Sequence, residues 1–274
     1  MAGSKTVTLV TCYYRIPGAK HSFEDYDAWS SRFLSTVDTP MVVFCGDTET
    51  ARRLAQLRAR VARLTRVVVL PLAKTHCGSG RLGALWPQDM ARDPEARYHT
   101  PDLFLIWNNK SDFVARAMAL DPFGSDVYAW CDIGCFRADE GPDRYRRWPR
   151  SSALDAACAR TPDALSLLCV KPFESGDFVL APDGLPPSFE RVNRIGGTIM
   201  VGTRAAWNRW IPAYYRILDD FVAAFRFAGK DQSLMAALVV LRPDLAALVS
   251  PSQRPEDGDP WFYLQPHFCD LKKS

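Results

Sequence analysis

Residues 127–137, VYAWCDIGCFR, place one carboxylate directly after a run of apolar and aromatic side chains. Such a run at residues 127–131 is typical of a strand that is covered on both faces, as in the parallel sheets of α/β proteins. Asp132 then lies at the carboxyl end of this strand, the edge where open α/β sheets bind ligands. Position alone leaves two interpretations open: an active-site carboxylate, or a structural aspartate that caps the Ile133-Gly134 turn.

The first half of the chain alternates between strand and helix patterns. Apolar or β-branched runs at residues 6–13, 40–45 and 66–72 predict strands. Amphipathic spacing at residues 23–35 and 48–64 predicts helices, the second with Thr48 as its N-cap. This β-α-β-α-β order implies parallel strands joined by right-handed crossovers. Residues 74–100 are polar, and a segment of that length is typically a binding loop or lid.

The remaining sequence predicts helices over residues 103–120, 152–168, 204–227 and 233–241, and a strand over 194–202 that follows the strand bearing Asp132. An aromatic segment, residues 260–270, ends the fold. No internal repeat or low-complexity linker divides the 274 residues. We therefore expect a single α/β domain, with a mostly parallel central sheet flanked by helices.

Composition excludes several classes of protein. The net charge of +3, from 34 basic and 31 acidic residues, argues against a nucleic-acid binder. No apolar stretch approaches the ~20 residues of a membrane span, and the N-terminus lacks the features of a signal peptide, so we expect a cytoplasmic protein with no transmembrane segment. The eight cysteines include no CxxC pair, which favours a reducing compartment over a zinc or redox motif. GxGxxG, P-loop and GxSxG motifs are also missing.

Four other positions carry possible chemistry, each with a structural alternative. Gly196-Gly197 allow a substrate to approach the backbone closely, or form a β-bulge. Asp231-Gln232 present a carboxylate and an amide at a helix start, where Asp231 also suits an N-cap. Lys110 can reach a phosphate, or be a solvated helix lysine. His267 is a candidate ligand, or a histidine packed among aromatic residues.

Five blocks of the sequence stand out together: VTCYY (residues 10–14), WNNKSDFV (107–114), DPFGSDVYAWCDIGCFR (121–137), IGGTIMVG (195–202) and GKDQ (229–232). In this order they resemble the HtrL/YibB family, which is associated with bacterial lipopolysaccharide loci and is similar to GT-A-fold glycosyltransferases. The resemblance implies a GT-A-like domain with a nucleotide-binding half, residues 6–137, and an acceptor-binding half, residues 138–274.

The resemblance also implies a metal site. GT-A enzymes hold Mn²⁺ or Mg²⁺ on the donor diphosphate with an Asp-x-Asp motif, of which Asp132-Ile133-Gly134 has the first position only. Enzymes similar to glycogenin add a C-terminal histidine, so the expected metal ligands are Asp132 and His267. The expected cofactors are therefore Mn²⁺ or Mg²⁺ and a nucleotide-sugar donor, most simply a UDP-linked one.

The same resemblance assigns the donor-binding and catalytic positions. Asp231 and Gln232 are expected beside the transferred sugar as catalytic residues, with Asp231 as the first candidate for the base if the reaction inverts the anomeric carbon. The expected donor-binding residues are Thr11, Tyr13, Tyr14, Lys110, Asp132, Gly196 and Gly197.

The resulting expectation is a metal-assisted glycosyltransferase that acts on a nucleotide sugar and a glycan or other hydroxyl acceptor. One alternative is a catalytically silent nucleotide- or sugar-binding module on the same fold, which the lone carboxylate of the DIG motif favours. Another is a nucleotidyltransferase or phosphohydrolase, which needs a second carboxylate near Asp132, such as Asp139 or Glu140.

Overall fold

The computed structural model describes residues 6–18, 21–137, 144–149, 151–252 and 259–269. Asp139 and Glu140, the candidate second carboxylates, lie outside these residues. The strands are β1 (Val7–Tyr13), β2 (Met41–Cys45), β3 (Thr65–Val69), β4 (Val127–Cys131), β5 (Leu165–Cys169), β6 (Ile195–Thr203) and β7 (Ala246–Val249). The α-helices are α1 (Phe23–Thr36), α2 (Thr48–Leu57), α3 (Gly80–Asp89), α4 (Pro101–Asn108), α5 (Lys110–Leu120), α6 (Ser151–Arg160), α7 (Arg204–Ala223), α8 (Asp231–Leu241) and α9 (Leu264–His267).

All seven of these strands join one sheet in the order β3-β2-β1-β4-β6-β5-β7. Pairing is parallel except for β6, which runs antiparallel to both β4 and β5. The predicted fold class is thereby confirmed: an α/β protein with a mostly parallel central sheet flanked by helices. Strands from both expected halves of the chain belong to this one sheet.

The sheet is covered on both faces, as the continuous apolar strands indicate. Side chains alternate along β4, so that Trp130 faces the core layer formed with α5, α7 and α8. Ala129 faces the opposite layer, formed with α1, α6 and α9. Because the two layers leave β1 and β4 fully buried, the polar residues at their carboxyl ends are fixed on a rigid support.

Several predicted boundaries are wrong for local reasons. The N-cap of α2 is Asp47 rather than Thr48, because the Asp47 side chain accepts the Thr50 N–H. The predicted loop at residues 74–100 contains α3. The helix predicted at residues 152–168 ends at Arg160, and β5 follows at Leu165–Cys169. That strand, LSLLC, has no β-branched residue, so its pairing with β6 and β7, not its own propensity, makes it a strand.

The helix predicted over residues 103–120 is two helices. It breaks at Asn109, whose φ of −96° and ψ of 4° are not helical, and α5 begins at the next residue, Lys110. Within the described ranges, no helix combines the length and apolar character needed to cross a bilayer.

Candidate active site

A cleft opens at the carboxyl ends of β1 and β4, where parallel α/β sheets bind ligands. It has two adjoining parts: a small lobe of about 110 Å³ and a large lobe of about 360 Å³. The small lobe lies against the end of β1, and the large lobe lies against the start of α8. Seven residues line both lobes and so mark their junction: Tyr26, Leu103, Trp107, Asp132, Arg137, Thr198 and Phe262.

At the inner wall of the large lobe, Lys110 joins two carboxylates. Its Nζ lies 2.8 Å from Asp231 Oδ2 and 3.3 Å from Asp132 Oδ1, and it donates to the Gly197 carbonyl oxygen at 2.8 Å. The side chains of Lys110 and Asp231 are 5% and 4% exposed, whereas that of Asp132 is 30% exposed toward the cleft. We call this group, Lys110 with Asp132, Asp231 and Gly197, the Lys110 bridge; it unites four of the residues singled out from the sequence.

The Lys110 bridge depends on the helix break at Asn109. The Asn108 side chain donates to the carbonyls of Ala228 and Gly229, which ties the end of α4 to the segment that leads into α8. The Asn109 side chain donates to Thr75 Oγ1 and accepts the Cys77 N–H. Because buried amides with several partners fix a single geometry, they hold the first residue of α5 next to the first residue of α8.

The paired glycines have different roles. A Cβ on Gly197 would lie 2.8 Å from Asp231 Oδ2 and 3.2 Å from Lys110 Nζ, so only glycine leaves room for the Lys110 bridge. A Cβ on Gly196 would instead lie 2.8 Å from Leu168 Cδ2, on β5. Gly196 therefore serves strand packing at a register shift between β5 and β6, and Gly197 serves the site.

Asp132 is positioned by its neighbours on the sheet. Its N–H donates to the Thr198 carbonyl on β6, and its Oδ1 accepts a 2.7 Å hydrogen bond from Trp130 Nε1, two residues earlier on the same face of β4. Its side chain accepts no hydrogen bond from the Ile133-Gly134 turn. Asp132 therefore does not cap that turn. Burial raises the pKa of the Asp132 carboxyl, since desolvation opposes ionisation, although Lys110 acts in the other direction.

Lys110 carries the compensating charge. Burial acts to lower the pKa of its ammonium, but the charges of Asp132 and Asp231 outweigh that cost and raise the pKa above the ordinary lysine value. The ammonium therefore stays protonated at neutral pH. Since its contact with Asp132 is longer than those with Asp231 and Gly197, the Asp132 contact is the one that a ligand can most easily replace.

Asp231 and Gln232 begin α8 and line the large lobe. The N-cap of this helix is Lys230, and Asp231 Oδ1 accepts the N–H of Gln232. An Asp231 carboxylate that is 4% exposed and ion-paired at 2.8 Å has its charge already neutralised. In this structure the Asp231 side chain holds Lys110 in place.

The small lobe is mainly aromatic and aliphatic, and the end of β1 contributes to it. Tyr13 and Tyr14 line it, whereas Thr11 is fully buried in the sheet and is not among the described residues of either lobe. Tyr14 is held by a 2.7 Å hydrogen bond to the Leu70 carbonyl. The other apolar and aromatic side chains in the small lobe are Ile16, Phe23, Tyr26, Leu103, Ile106, Trp107, Trp130, Ile133 and Phe262.

Arg137 is the cation at the junction of the lobes. Its guanidinium lies over the rings of Trp29, at 4.3 Å, and Phe262, at 5.0 Å, and its Nε donates to the Gly134 carbonyl. Stacking of this kind holds the planar group while leaving other N–H groups available to a ligand. The sequence block 121–137 contains Arg137, but the sequence pattern gives this arginine no role. Nothing in the pattern shows that the turn after β4 folds back over the cleft.

His267 does not lie at the cleft. Its ring packs against Tyr263 and Phe268, with ring centroids 5.8 and 4.9 Å apart, and it is not among the described residues of either lobe. Burial, assisted by the charge of Arg160, lowers its pKa. The C-terminal segment does reach the large lobe, but through Trp261 and Phe262.

The described residues do not form the expected divalent-ion site. Asp132 has one oxygen bonded to Trp130, its charge partner is already Lys110, and His267 packs elsewhere. Among the described residues, no group of three or more His, Cys, Asp or Glu side chains can hold a metal ion. Mg²⁺ and Mn²⁺ need clustered oxygen ligands. Here the Lys110 ammonium lies between the carboxylates of Asp132 and Asp231.

The large lobe also receives residues from the segment between α3 and α4 that sequence reasoning left without a role. Lys230 is ion-paired to Glu95 at 2.8 Å, and His99 is bonded to Asp93 at 2.7 Å. The length of this segment was the only signal that it takes part in binding.

Comparison of the chain with protein-family models and with curated proteins finds no match. The geometry of the cleft is therefore the basis for assigning a function.

Proposed function

We propose that the protein is a glycosyltransferase that moves a sugar from a nucleotide-sugar donor to a hydroxyl group of a glycan or similar acceptor. The observation that carries the proposal is the two-lobed cleft, with Arg137 and Asp132 lining both lobes. The order of these parts matches that of a nucleotide sugar: the aromatic lobe suits the base, the cation at the junction suits the diphosphate, and the polar lobe suits the sugar. The resemblance to the HtrL/YibB family supports the same class of reaction.

The small lobe suits the base of the donor. Aromatic side chains stack on the flat face of a base and contribute roughly 1–3 kcal/mol per base in nucleic-acid complexes. Tyr14 is fixed by its hydrogen bond to Leu70 and by stacking on Phe113, at 6.0 Å between ring centroids. A fixed ring loses little conformational freedom when a ligand binds.

The junction suits the diphosphate. The Arg137 guanidinium can form paired charge-assisted hydrogen bonds with phosphate oxygens. The Lys110 ammonium offsets the charges of Asp132 and Asp231, so that these carboxylates repel the departing nucleoside diphosphate less. In this proposal, the cation that GT-A enzymes obtain from a metal comes from side chains.

The large lobe suits the transferred sugar and the acceptor. Asp132 presents a partly exposed carboxylate oxygen that can accept hydrogen bonds from sugar hydroxyl groups, and Gln232 presents an amide from the first turn of α8. A carboxylate acceptor is typically worth about 1.5–3 kcal/mol per hydrogen bond. These contacts orient the anomeric carbon of the sugar toward the acceptor.

The experiment is a thermal-shift screen of nucleosides, nucleoside diphosphates and nucleotide sugars, followed by measurement of nucleoside diphosphate release with glycan acceptors. A ligand that binds only the native state raises the melting temperature. We expect Arg137→Gln to weaken nucleoside diphosphate binding by roughly 10- to 100-fold with little effect on the nucleoside, and Arg137→Lys to restore only part of the loss. Equal losses for nucleoside and diphosphate would contradict the assignment of the junction.

Asp132→Asn tests the sugar contact. We expect transfer to fall at least about 30-fold, because a charged hydrogen-bond acceptor is lost. The melting temperature should change little, since burial already raises the pKa of Asp132 and a neutral amide avoids that cost. Asp219→Asn is the matched control, because Asp219 pairs with Arg81 on the surface and is 53% exposed. Unchanged transfer in Asp132→Asn would remove Asp132 from the site.

One observation favours the alternative of a catalytically silent binding module. Within the Lys110 bridge, the charges of Lys110 and Asp231 already neutralise each other, which suits a rigid binding surface. In that case, nucleotide sugars raise the melting temperature, but no nucleoside diphosphate is released with any acceptor. Release with one acceptor excludes this alternative.

A further inference from the structure

His99 lines the large lobe and forms a histidine–carboxylate pair with Asp93 behind it, which the sequence patterns did not indicate. Asp93 Oδ2 lies 2.7 Å from His99 Nδ1, and the two side chains are 1% and 11% exposed. The other carboxylate oxygen, Oδ1, accepts the N–H of Glu95 at 2.8 Å, so both oxygens of Asp93 are engaged. A buried carboxylate with fixed partners determines the orientation of the ring bonded to it.

Aromatic packing holds the His99 ring in the same orientation. The ring meets Trp107 edge-to-face, with 4.8 Å between ring centroids and an interplanar angle of 87°. It meets Phe104 at 6.3 Å and 74°. Since Nδ1 is bonded to Asp93, Nε2 is the ring nitrogen left for a ligand in the large lobe, and no hydrogen bond to Nε2 forms among the described residues.

His99 shares the large lobe with Lys110, Asp132 and Gln232. Of this pair, His99 is the member that lines the cavity holding the Lys110 bridge. Asp231, the base expected from the resemblance, is neutralised by Lys110 and is 4% exposed. Histidine is the side chain that most often accepts a proton near neutral pH, particularly when a carboxylate orients it and stabilises its cation.

We propose that His99 is the general base of the reaction and that Asp93 is its positioning residue; this inference rests on the proposed glycosyltransferase function. The acceptor hydroxyl gives its proton to His99 Nε2, and the acceptor oxygen forms a bond to the anomeric carbon. The bond between that carbon and the diphosphate oxygen breaks, and its electron pair leaves with the nucleoside diphosphate. A base that activates the acceptor for one direct displacement gives inversion at the anomeric carbon.

The test uses the full chain and a nucleotide sugar that the unaltered protein turns over. We expect His99→Gln to lower the rate of transfer by roughly 10²–10⁴-fold, the usual contribution of a general base. Binding of the nucleoside diphosphate should stay within about 2-fold by thermal shift, because the base acts on the acceptor. His76→Gln is the matched control: His76 precedes α3, its ring packs against Tyr215 with 3.9 Å between ring centroids, and it is not among the described residues of either lobe. This variant should retain full activity.

Asp93→Asn should also lower the rate, and the double variant Asp93→Asn/His99→Gln should be no slower than His99→Gln, because residues that act as one unit are not additive. Imidazole added to His99→Ala should restore part of the lost rate, which a merely structural histidine would not allow. These variants also keep the test valid if one of them folds poorly.

The outcomes separate this inference from the function on which it rests. Transfer undiminished in His99→Gln, or retention of anomeric configuration in the product by NMR, overturns the role of His99 and leaves the glycosyltransferase proposal standing. Failure of the unaltered chain to transfer any sugar overturns both. Inversion, a large loss in His99→Gln and rescue by imidazole together support the assignment.

Discussion

Replacing Lys110 with methionine removes the one cation that contacts two carboxylates in the Lys110 bridge. Methionine keeps most of the volume and the unbranched shape of lysine, so the packing around the aliphatic stem changes little. What is lost is the charge 2.8 Å from Asp231 and 3.3 Å from Asp132, together with the donor to the Gly197 carbonyl. Two carboxylates then face each other across the space that the ammonium filled.

The expected cost follows from burial. Lys110 and Asp231 are both about 5% exposed or less, and removal of one partner from a buried ion pair typically costs about 3–5 kcal/mol, because an unpaired charge stays behind. The cost should shrink in acid. Without Lys110, the pKa of Asp132 rises further, so the folded variant gains protons more readily than its unfolded chain and recovers stability as pH falls toward about 4.

Urea unfolding at neutral and acidic pH measures this directly. Arg81→Met is the control: its pair with Asp219 is 67% and 53% exposed, so its loss should change the free energy of unfolding by about 0.5 kcal/mol or less. The double variant Lys110→Met/Asp231→Asn should recover most of the stability that Lys110→Met loses, because both charges are then absent. A loss below about 1 kcal/mol in Lys110→Met, independent of pH, would refute the reasoning.

Three more outcomes follow from the site. Gly197→Ala should lower the free energy of unfolding by about 1–3 kcal/mol, because its Cβ would lie 2.8 Å from Asp231 Oδ2. Gly176→Ala is the control: a Cβ there would have open space around it, so its thermal unfolding should match that of the unaltered protein. A metal chelator should leave nucleoside diphosphate release unchanged, and a strict Mn²⁺ requirement would contradict the assignment of the cation role to Lys110 and Arg137. Burial lowers the pKa of His267 below its ordinary value of 6.5, so the unfolded chain takes up this proton more readily than the folded protein. The free energy of unfolding should therefore fall as the pH drops below 6.5. His267→Gln should reduce this fall, measured by urea unfolding at several pH values.

The strands closest to the cleft could be predicted because their sequences are continuous apolar runs. Val127–Cys131 appears as a strand with the predicted bounds, and residues 6–13 and 194–202 match β1 and β6 to within one residue. Strands β5 and β7 were missed, since LSLLC and AALV have no strong strand preference and become strands by pairing with each other and with β6. Local preference therefore predicted the sheet from β3 to β6 and failed at the edge formed by β5 and β7.

The candidate site was predictable where one short segment contains both a rigid element and a polar residue. Asp132, Gly197 and Asp231 come together as expected. The break that brings Lys110 to them was not predictable, because the Asn108 and Asn109 side chains find their partners more than 30 residues away, at Thr75 and Ala228. Hydrogen bonds over such sequence separations leave no periodic pattern to read.

Gly134, where an Asp-x-Asp motif would place its second carboxylate, has a steric explanation. A Cβ at this position would lie 3.2 Å from Trp29 Cε3 and 3.5 Å from Tyr26 Cε1, so a side chain there would meet aromatic rings. Trp29 is also the ring over which Arg137 stacks, at 4.3 Å. A bulkier residue 134 would therefore push against the very surface that orients Arg137.

The same glycine connects Lys110 and Arg137. Position 134 has no second carboxylate, and among the described residues Asp132 belongs to no group of three that could hold a metal ion. The cation that pairs with Asp132 is Lys110. The space kept open at Gly134 lets Trp29 lie beneath Arg137, whose Nε donates to the Gly134 carbonyl. In the proposed function, the absent aspartate and these two side-chain cations form one arrangement, in which ammonium and guanidinium groups supply the positive charge that a metal ion provides in GT-A enzymes.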